Sequence, residues 1–229
     1  MFLTSICLIM IRSNYSYNSY SLLAISVYSL FILLIHFLYE PIPFNTFKVS
    51  KPINLLKNGF YISPVVLVLF VSICVLLELI YKPIRTTVAE PDKILDLTLY
   101  LSQILLIAPF LEEVIFRQFL LRKNLLLTNN AVFSVLISAF VFASIHLSSQ
   151  YSIVLTFLLG LFLGILYLKT KNILICIFAH GLFNMWSFIF GKFPSAVNDF
   201  MGILNQNLVY SITLLILSLI IIIAGLIRF

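Results

Sequence analysis

The sequence predicts an all-α protein, a polytopic bundle of about six to eight transmembrane helices with seven as the central expectation. The chain has 229 residues, of which 62% are hydrophobic and only 10% are charged. A water-soluble fold needs more polar surface than this composition supplies. Segments of about ten residues with alternating polarity do not occur in the sequence, so backbone groups inside the bilayer are expected to bond within helices.

Apolar runs bounded by Lys, Arg, Pro, Asn or Gly define the individual helices. The expected spans are residues 20–39, 60–81, 95–120, 131–147, 152–168, 173–190 and 208–227. The stretches between them that contain prolines or charges, 40–59, 82–93 and 191–207, are expected to be extramembrane connections. Within the fifth span, Gly160 and Gly164 are expected to let two helices of the bundle approach closely.

Charge and cysteine content exclude several classes of function. The net charge is +6, and most Lys and Arg residues lie between the apolar runs, where they set topology rather than bind nucleic acid. A slight excess of these residues on the side of the C-terminus favours a multi-pass cell-membrane protein with a cytoplasmic C-terminus. The three cysteines lie inside apolar runs and show neither zinc-site nor disulfide spacing.

Ionisable side chains within the apolar runs are the first functional candidates. A charge near the centre of a bilayer costs about 2.5–3.5 kcal/mol on insertion scales, so such residues seldom occur there without a role. They cluster in the third, fourth and sixth spans. The ionisable candidates are Glu112, Glu113, Arg117, His146 and His180, and the polar Asn184 accompanies His180 in the sixth span.

Helical spacing separates these residues by role. Glu113 and Arg117 are four residues apart, so their side chains can meet and neutralise each other. Removing one partner of such a pair leaves an uncompensated buried charge, which favours a structural role for both. Glu112 is rotated by about 100° around the helix axis and is therefore available for chemistry.

The histidines share helix faces with residues four positions away. Phe142 lies one turn before His146, and His180 lies one turn before Asn184. Three helices could then converge on one polar pocket that supports the attack of water on an amide. This reaction needs a general base, a group that polarises the carbonyl and a donor for the oxyanion.

Three ordered motifs resemble those of the CPBP family, which comprises CaaX-processing proteases and bacteriocin-immunity or Abi-type membrane proteins. The motifs are Glu-Glu-x-x-x-Arg at 112–117, Phe-x-x-x-His at 142–146 and His-x-x-x-Asn at 180–184. The resemblance covers about residues 95–190. One departure is Gln118, which replaces the usual glycine and is expected to crowd a helix contact.

The resemblance implies an intramembrane endopeptidase in which Glu112 activates water with the help of His146, while His180 and Asn184 serve the oxyanion. Structural support is expected from Glu113, Arg117 and Phe142. Members of the family have been described both as metalloproteases and as metal-independent glutamate proteases. The cofactor is therefore either none or zinc, for which Glu112, His146 and His180 are the candidate ligands.

With this resemblance, the chain divides into N-terminal membrane helices and loops (1–94), a catalytic helical core (95–190), and a loop with a C-terminal helix (191–229). The expected partners are a peptide or membrane-protein substrate and the lipid bilayer, without nucleic acid. A composition rich in Ile, Phe and Asn suggests an AT-rich bacterium, where such an enzyme would process peptides or bacteriocins, confer self-immunity or regulate the envelope. Two alternatives are a non-catalytic scaffold or regulator of a partner protein and a proton-coupled transporter.

Overall fold

The computed structural model describes residues 52–81, 94–146 and 150–228, and the helical class is confirmed for these residues. The expected first span at 20–39 and the connection at 82–93 lie outside them. The helices are α1 (Pro52–Tyr81), α2 (94–128), α3 (Ala131–Ser144), α4 (Gln150–Thr170), α5 (Ile173–Lys192), α6 (Pro194–Gln206) and α7 (Leu208–Arg228).

Three of the described helices are long and apolar enough to cross a membrane, judged by length and composition. These segments are Ile153–Thr170 in α4, Ile173–Lys192, which is α5, and Leu208–Ile227 in α7. An α-helix rises about 1.5 Å per residue, so about 20 residues match the hydrocarbon thickness. Tyr61–Leu77 and Ala131–Ser144 are shorter apolar helices.

The structure differs from the sequence prediction in two connections that contain prolines. Residues 191–207 include the helix α6, and α1 begins at Pro52, inside the predicted connection 40–59. Proline suits the first turn of a helix, where the missing N–H would have had no partner within the helix, although α1 also contains Pro64 in its interior. Pro52 and Pro194 therefore begin helices.

The long helix α2 is not a regular α-helix. The α-helical segment Ala108–Glu113 lies between two π-helical segments, Gln103–Ile107 and Val114–Leu121. In a π-helix each N–H bonds to the carbonyl five residues earlier, a rare arrangement that is frequent at functional sites. Glu112 and Glu113 therefore lie between the two π segments, and Arg117 lies within the second.

A tight turn makes α2 and α3 antiparallel neighbours. Asn129 adopts a left-handed backbone conformation with φ of 48° and ends α2. Asn130 then caps α3, because its side-chain oxygen accepts a 3.0 Å hydrogen bond from the N–H of Phe133. Asparagine suits both positions, since it tolerates the left-handed conformation and is a favoured N-cap.

The described helices fall into two compact units, and the boundary lies between residues 177 and 178 within α5. The first unit contains α2, α3, α4 and the beginning of α5. The second contains α1, the rest of α5, α6 and α7. In the second unit, Phe70 of α1 packs edge-to-face against Phe183 and Phe190 of α5, with ring centroids 5.1 and 4.9 Å away.

Close packing of α3 against α4 shapes the first unit. A Cβ atom added to Gly160 would lie 3.0 Å from the Cα of Ala139, and one added to Gly164 would lie 3.0 Å from Val135 Cγ1. The expectation that these glycines let helices of the bundle approach closely is confirmed. Gly160 also borders Phe142, whose Cδ1 would lie 3.3 Å from the added Cβ.

Gly160→Ala is expected to lower the thermal unfolding midpoint, because the new methyl group meets a backbone atom of α3 that cannot move alone. The matched control is Gly202→Ala in α6, where an added Cβ meets nothing within 4 Å. That variant should be neutral or up to about 1 kcal/mol more stable, since alanine favours a helix over glycine. The thermal unfolding midpoints of both variants are measured in lipid nanodiscs. Equal midpoints for Gly160→Ala and Gly202→Ala would contradict the packing described for α3 and α4.

Candidate active site

Glu112 of α2 and His146, which follows α3, face each other in the first unit. The Oε2 atom of Glu112 lies 4.0 Å from Nε2 of His146. The side chain of Glu112 is 7% exposed, whereas that of His146 is 30% exposed. The carboxylate is therefore almost enclosed, and the imidazole can be reached from outside.

The end of α3 orients the ring of His146. The last carbonyl groups of a helix have no partner within the helix, and α3 ends at Ser144. The Nδ1 atom of His146 lies 2.9 Å from the backbone oxygen of Phe142. A carbonyl oxygen can only accept, so Nδ1 carries the hydrogen in this bond. A neutral imidazole with this tautomer has its lone pair on Nε2, the atom nearest Glu112.

The helix α3 ends three residues before the end of the span predicted at 131–147. The last helical residue is Ser144, and the backbone N–H of His146 donates a 2.9 Å bond to the oxygen of Ala143. Phe142 and His146 nevertheless stay in contact, with ring centroids 4.9 Å apart. The contact is made across a turn at the helix end rather than along one helix face.

Glu113 and Arg117 form a buried ion pair on α2. Arg117 Nε lies 3.1 Å from Glu113 Oε2, and neither side chain is exposed. The geometry of this contact is not that of a hydrogen bond, and the terminal nitrogens of Arg117 have no hydrogen-bond partner among the described residues. The guanidinium carbon lies 5.0 Å from the ring centroid of Phe142, which provides a cation–π contact.

Phe142 joins these two groups. Its ring is fully buried and contacts Arg117 as well as His146. It also packs edge-to-face against Phe116 of α2, with centroids 5.1 Å apart. The ion pair and the imidazole therefore share one rigid aromatic neighbour.

His180 and Asn184 lie one turn apart on α5, in the second unit. His180 is buried, and Asn184 is half-buried. The structure thus brings together Glu112, Glu113, Arg117, Phe142 and His146, all in the first unit. The convergence of His180 and Asn184 with them stays a prediction of the three motifs.

Two interhelical hydrogen bonds involve residues that the sequence analysis did not assign to the site. Ser138 of α3 donates a 2.8 Å bond to the backbone oxygen of Phe116, and Tyr167 of α4 donates a 2.8 Å bond to Oε1 of Gln118. Gln118 therefore bonds a neighbouring helix, although it was expected to crowd one. Position offers a signal for Ser138, which lies four residues before Phe142 on the same face of α3.

The arrangement supplies two potential metal ligands, Glu112 and His146. No group of three or more His, Cys, Asp or Glu side chains within residues 52–81, 94–146 and 150–228 is placed to hold a metal ion. Zinc in proteins is held by at least three protein ligands. The third candidate ligand, His180, lies in the second unit.

A comparison with protein families covers the segment that carries all three motifs. The matching family model is described as type II CAAX prenyl endopeptidase, Rce1-like. The match covers residues 94–186. It confirms the resemblance to the CPBP family over these residues, and the apolar helices indicate a membrane protein. Searches of curated proteins and of solved structures found no match.

Within the Rce1-like region, Arg117→Met is expected to destabilise the fold by roughly 3–5 kcal/mol, because Glu113 is left buried without its counter-charge. The double variant Glu113→Leu with Arg117→Met should recover most of this loss, since two apolar side chains can fill the same space. Chemical unfolding in nanodiscs measures the free energy of unfolding of wild type and of each variant. The control is Lys123→Met, an exposed cation on the same helix, which is expected to stay within about 0.5 kcal/mol of wild type. An Arg117 variant as stable as this control would contradict a structural pair.

Proposed function

We propose that the protein hydrolyses a peptide bond within or beside the membrane, with Glu112 as the general base and His146 as its partner. The observation that carries the proposal is the geometry of this pair. An almost buried carboxylate lies 4.0 Å from an imidazole whose other nitrogen is held by the oxygen of Phe142. The Rce1-like match over residues 94–186 supports the same assignment.

The separation suits a shared water molecule. A distance of 4.0 Å is too long for a direct hydrogen bond, whereas two bonds of about 2.8 Å through one oxygen atom can span it. Such a water donates one hydrogen to Glu112 Oε2 and the other to His146 Nε2, and its lone pairs stay available for attack. The tautomer set by Phe142 is required, since a hydrogen on Nε2 would oppose this arrangement.

Hydrolysis then follows in two proton transfers. As the water oxygen bonds to the peptide carbonyl carbon, Glu112 takes a proton and the carbonyl oxygen becomes an oxyanion. Glu112 returns the proton to the amide nitrogen, the C–N bond breaks, and a carboxylic acid and an amine are released. We assign the oxyanion donors to His180 and to the side-chain amide of Asn184, which share one face of α5.

The topology and biological role are part of the same proposal. We infer a multi-pass cell-membrane protein with about seven spans and a cytoplasmic C-terminus, in which residues 95–190 form the catalytic core between 1–94 and 191–229. The three membrane-length helices and the extent of the Rce1-like region support this division. The substrate is a peptide or membrane protein, and the expected roles are peptide or bacteriocin processing, self-immunity and envelope regulation.

Glu112→Gln and His146→Gln are expected to lower cleavage by about 10²–10⁴-fold, because an amide is too weak a base to take the proton of the water at position 112 and does not reproduce the imidazole Nε2 at position 146. The assay uses the full chain in nanodiscs with a farnesylated CaaX-type peptide and a panel of unmodified apolar peptides, and mass spectrometry identifies the products. The matched control is Asp199→Asn, which neutralises an exposed carboxylate of α6 and should leave cleavage unchanged. Full activity in either site variant would overturn the assignment.

Asn184→Ala is expected to lower turnover by about 10²–10³-fold with little change in KM, since an oxyanion donor acts mainly on the transition state.

A zinc chelator should leave wild-type cleavage unchanged, because the proposed steps use only side chains of the protein. Loss of activity with the chelator, restored by added zinc, would contradict the metal-free mechanism. A different result would favour a non-catalytic scaffold. In that case wild type cleaves none of the peptides, and Glu112→Gln retains the cellular phenotype of wild type.

A further inference from the structure

The π-helical segment Val114–Leu121 is tied to α3 by a side-chain hydrogen bond. Ser138 Oγ donates to the backbone oxygen of Phe116 over 2.8 Å, and both residues are buried. A serine in a helix usually bonds a carbonyl of its own helix, as Ser134 does one turn earlier through the oxygen of Asn130. Ser138 instead reaches a backbone group of the neighbouring helix.

A second hydrogen bond ties the same segment to α4. The hydroxyl of Tyr167 donates to Oε1 of Gln118 over 2.8 Å, and both side chains are buried. The two bonds meet the π segment at positions 116 and 118, on either side of Arg117. Neighbouring helices thus hold this irregular turn at two adjacent points, and neither bond involves a residue of the three motifs.

The irregular turn determines which way Glu112 points. A π segment carries one more residue in its turn than an α-helix, so its conversion to α-helical geometry would rotate the preceding residues by about 100° relative to the following ones. Glu112 lies just before the segment, and Ser138 lies on α3, which ends two residues before His146. The Ser138 bond therefore connects the helix of the carboxylate to the helix that precedes the imidazole.

We propose that Ser138 and Tyr167 are positioning residues, which hold the π-helical turn of α2 and thereby keep the Glu112 carboxylate opposite His146. Each acts through the backbone or side chain of α2 and contacts neither group of the pair. The proposal deepens the proposed function, on which it rests for its effect on turnover. The proximity of residues 112 and 146 on which the proposal depends can be tested without any substrate.

The first experiment measures turnover in the full chain in nanodiscs. Ser138→Ala and Tyr167→Phe each remove one hydroxyl, and each is expected to lower kcat at least about tenfold with KM unchanged, because a misplacement near 1 Å costs up to about 10²-fold. Loss of one neutral hydrogen bond should lower the unfolding midpoint by only about 2–4 °C. Ser138→Thr, which keeps a hydroxyl group, is expected to restore turnover.

The matched control is Ser134→Ala. Ser134 is buried on the same helix and loses the same hydroxyl, but it donates to the oxygen of Asn130 at the start of α3 and lies 3.5 Å from the hydroxyl of Thr128 at the end of α2, so it does not contact the π segment. Turnover of this variant should equal that of wild type. Ser134→Ala and Ser138→Ala could lower kcat equally, or activity could follow the unfolding midpoint across all variants. Either result would mean that Ser138 and Tyr167 stabilise the fold without positioning the site.

The second experiment is independent of turnover. Glu112→Cys and His146→Cys are combined in a chain whose native cysteines are replaced by alanine, and a short bifunctional thiol reagent links the two positions. Ser138→Ala and Tyr167→Phe are expected to slow cross-linking severalfold, whereas Ser134→Ala leaves it unchanged. Unchanged rates in the first two variants would overturn the positioning role. If wild type cleaves nothing while the cross-linking rates change as expected, the proposed function fails and the positioning of residue 112 stands.

Discussion

The hydrocarbon core of a bilayer contains almost no water, so a polar group placed there needs a partner within the protein. In the first unit several polar groups have such a partner, on the same helix, on a neighbouring helix or at a helix end, although the terminal nitrogens of Arg117 have no hydrogen-bond partner among the described residues. Arg117 lies against Glu113 and the Phe142 ring, and the ring of His146 bonds a carbonyl that the end of α3 leaves without a partner. The same contacts that satisfy polar groups also determine their orientation.

The neighbouring carboxylates of Glu112 and Glu113 have different surroundings. Glu113 lies against the Arg117 cation and is fully buried, whereas the Glu112 carboxylate lies 4.0 Å from the imidazole of His146. The difference arises from one step of rotation along α2. A single helix can therefore supply a structural ion pair and a reactive group at consecutive positions, provided that its local geometry is held.

That geometry depends on packing as much as on polar contacts. Gly160 lets α4 approach the backbone of Ala139, and it also borders the ring of Phe142. Phe142 in turn contacts both the guanidinium of Arg117 and the imidazole of His146. A shift of α4 would therefore reach the site through one aromatic side chain, since packed interiors transmit displacement rather than absorb it.

The sequence alone determined the helical class, because only helices satisfy the backbone within long apolar runs, and it determined the pairing of Glu113 with Arg117 through their four-residue spacing. It also identified the motifs of the Rce1-like region. The tertiary structure decided the π turns of α2 and the end of α3 at Ser144. It also decided that Ser138 and Tyr167 bond α2, because these features depend on contacts with neighbouring helices that no local pattern encodes.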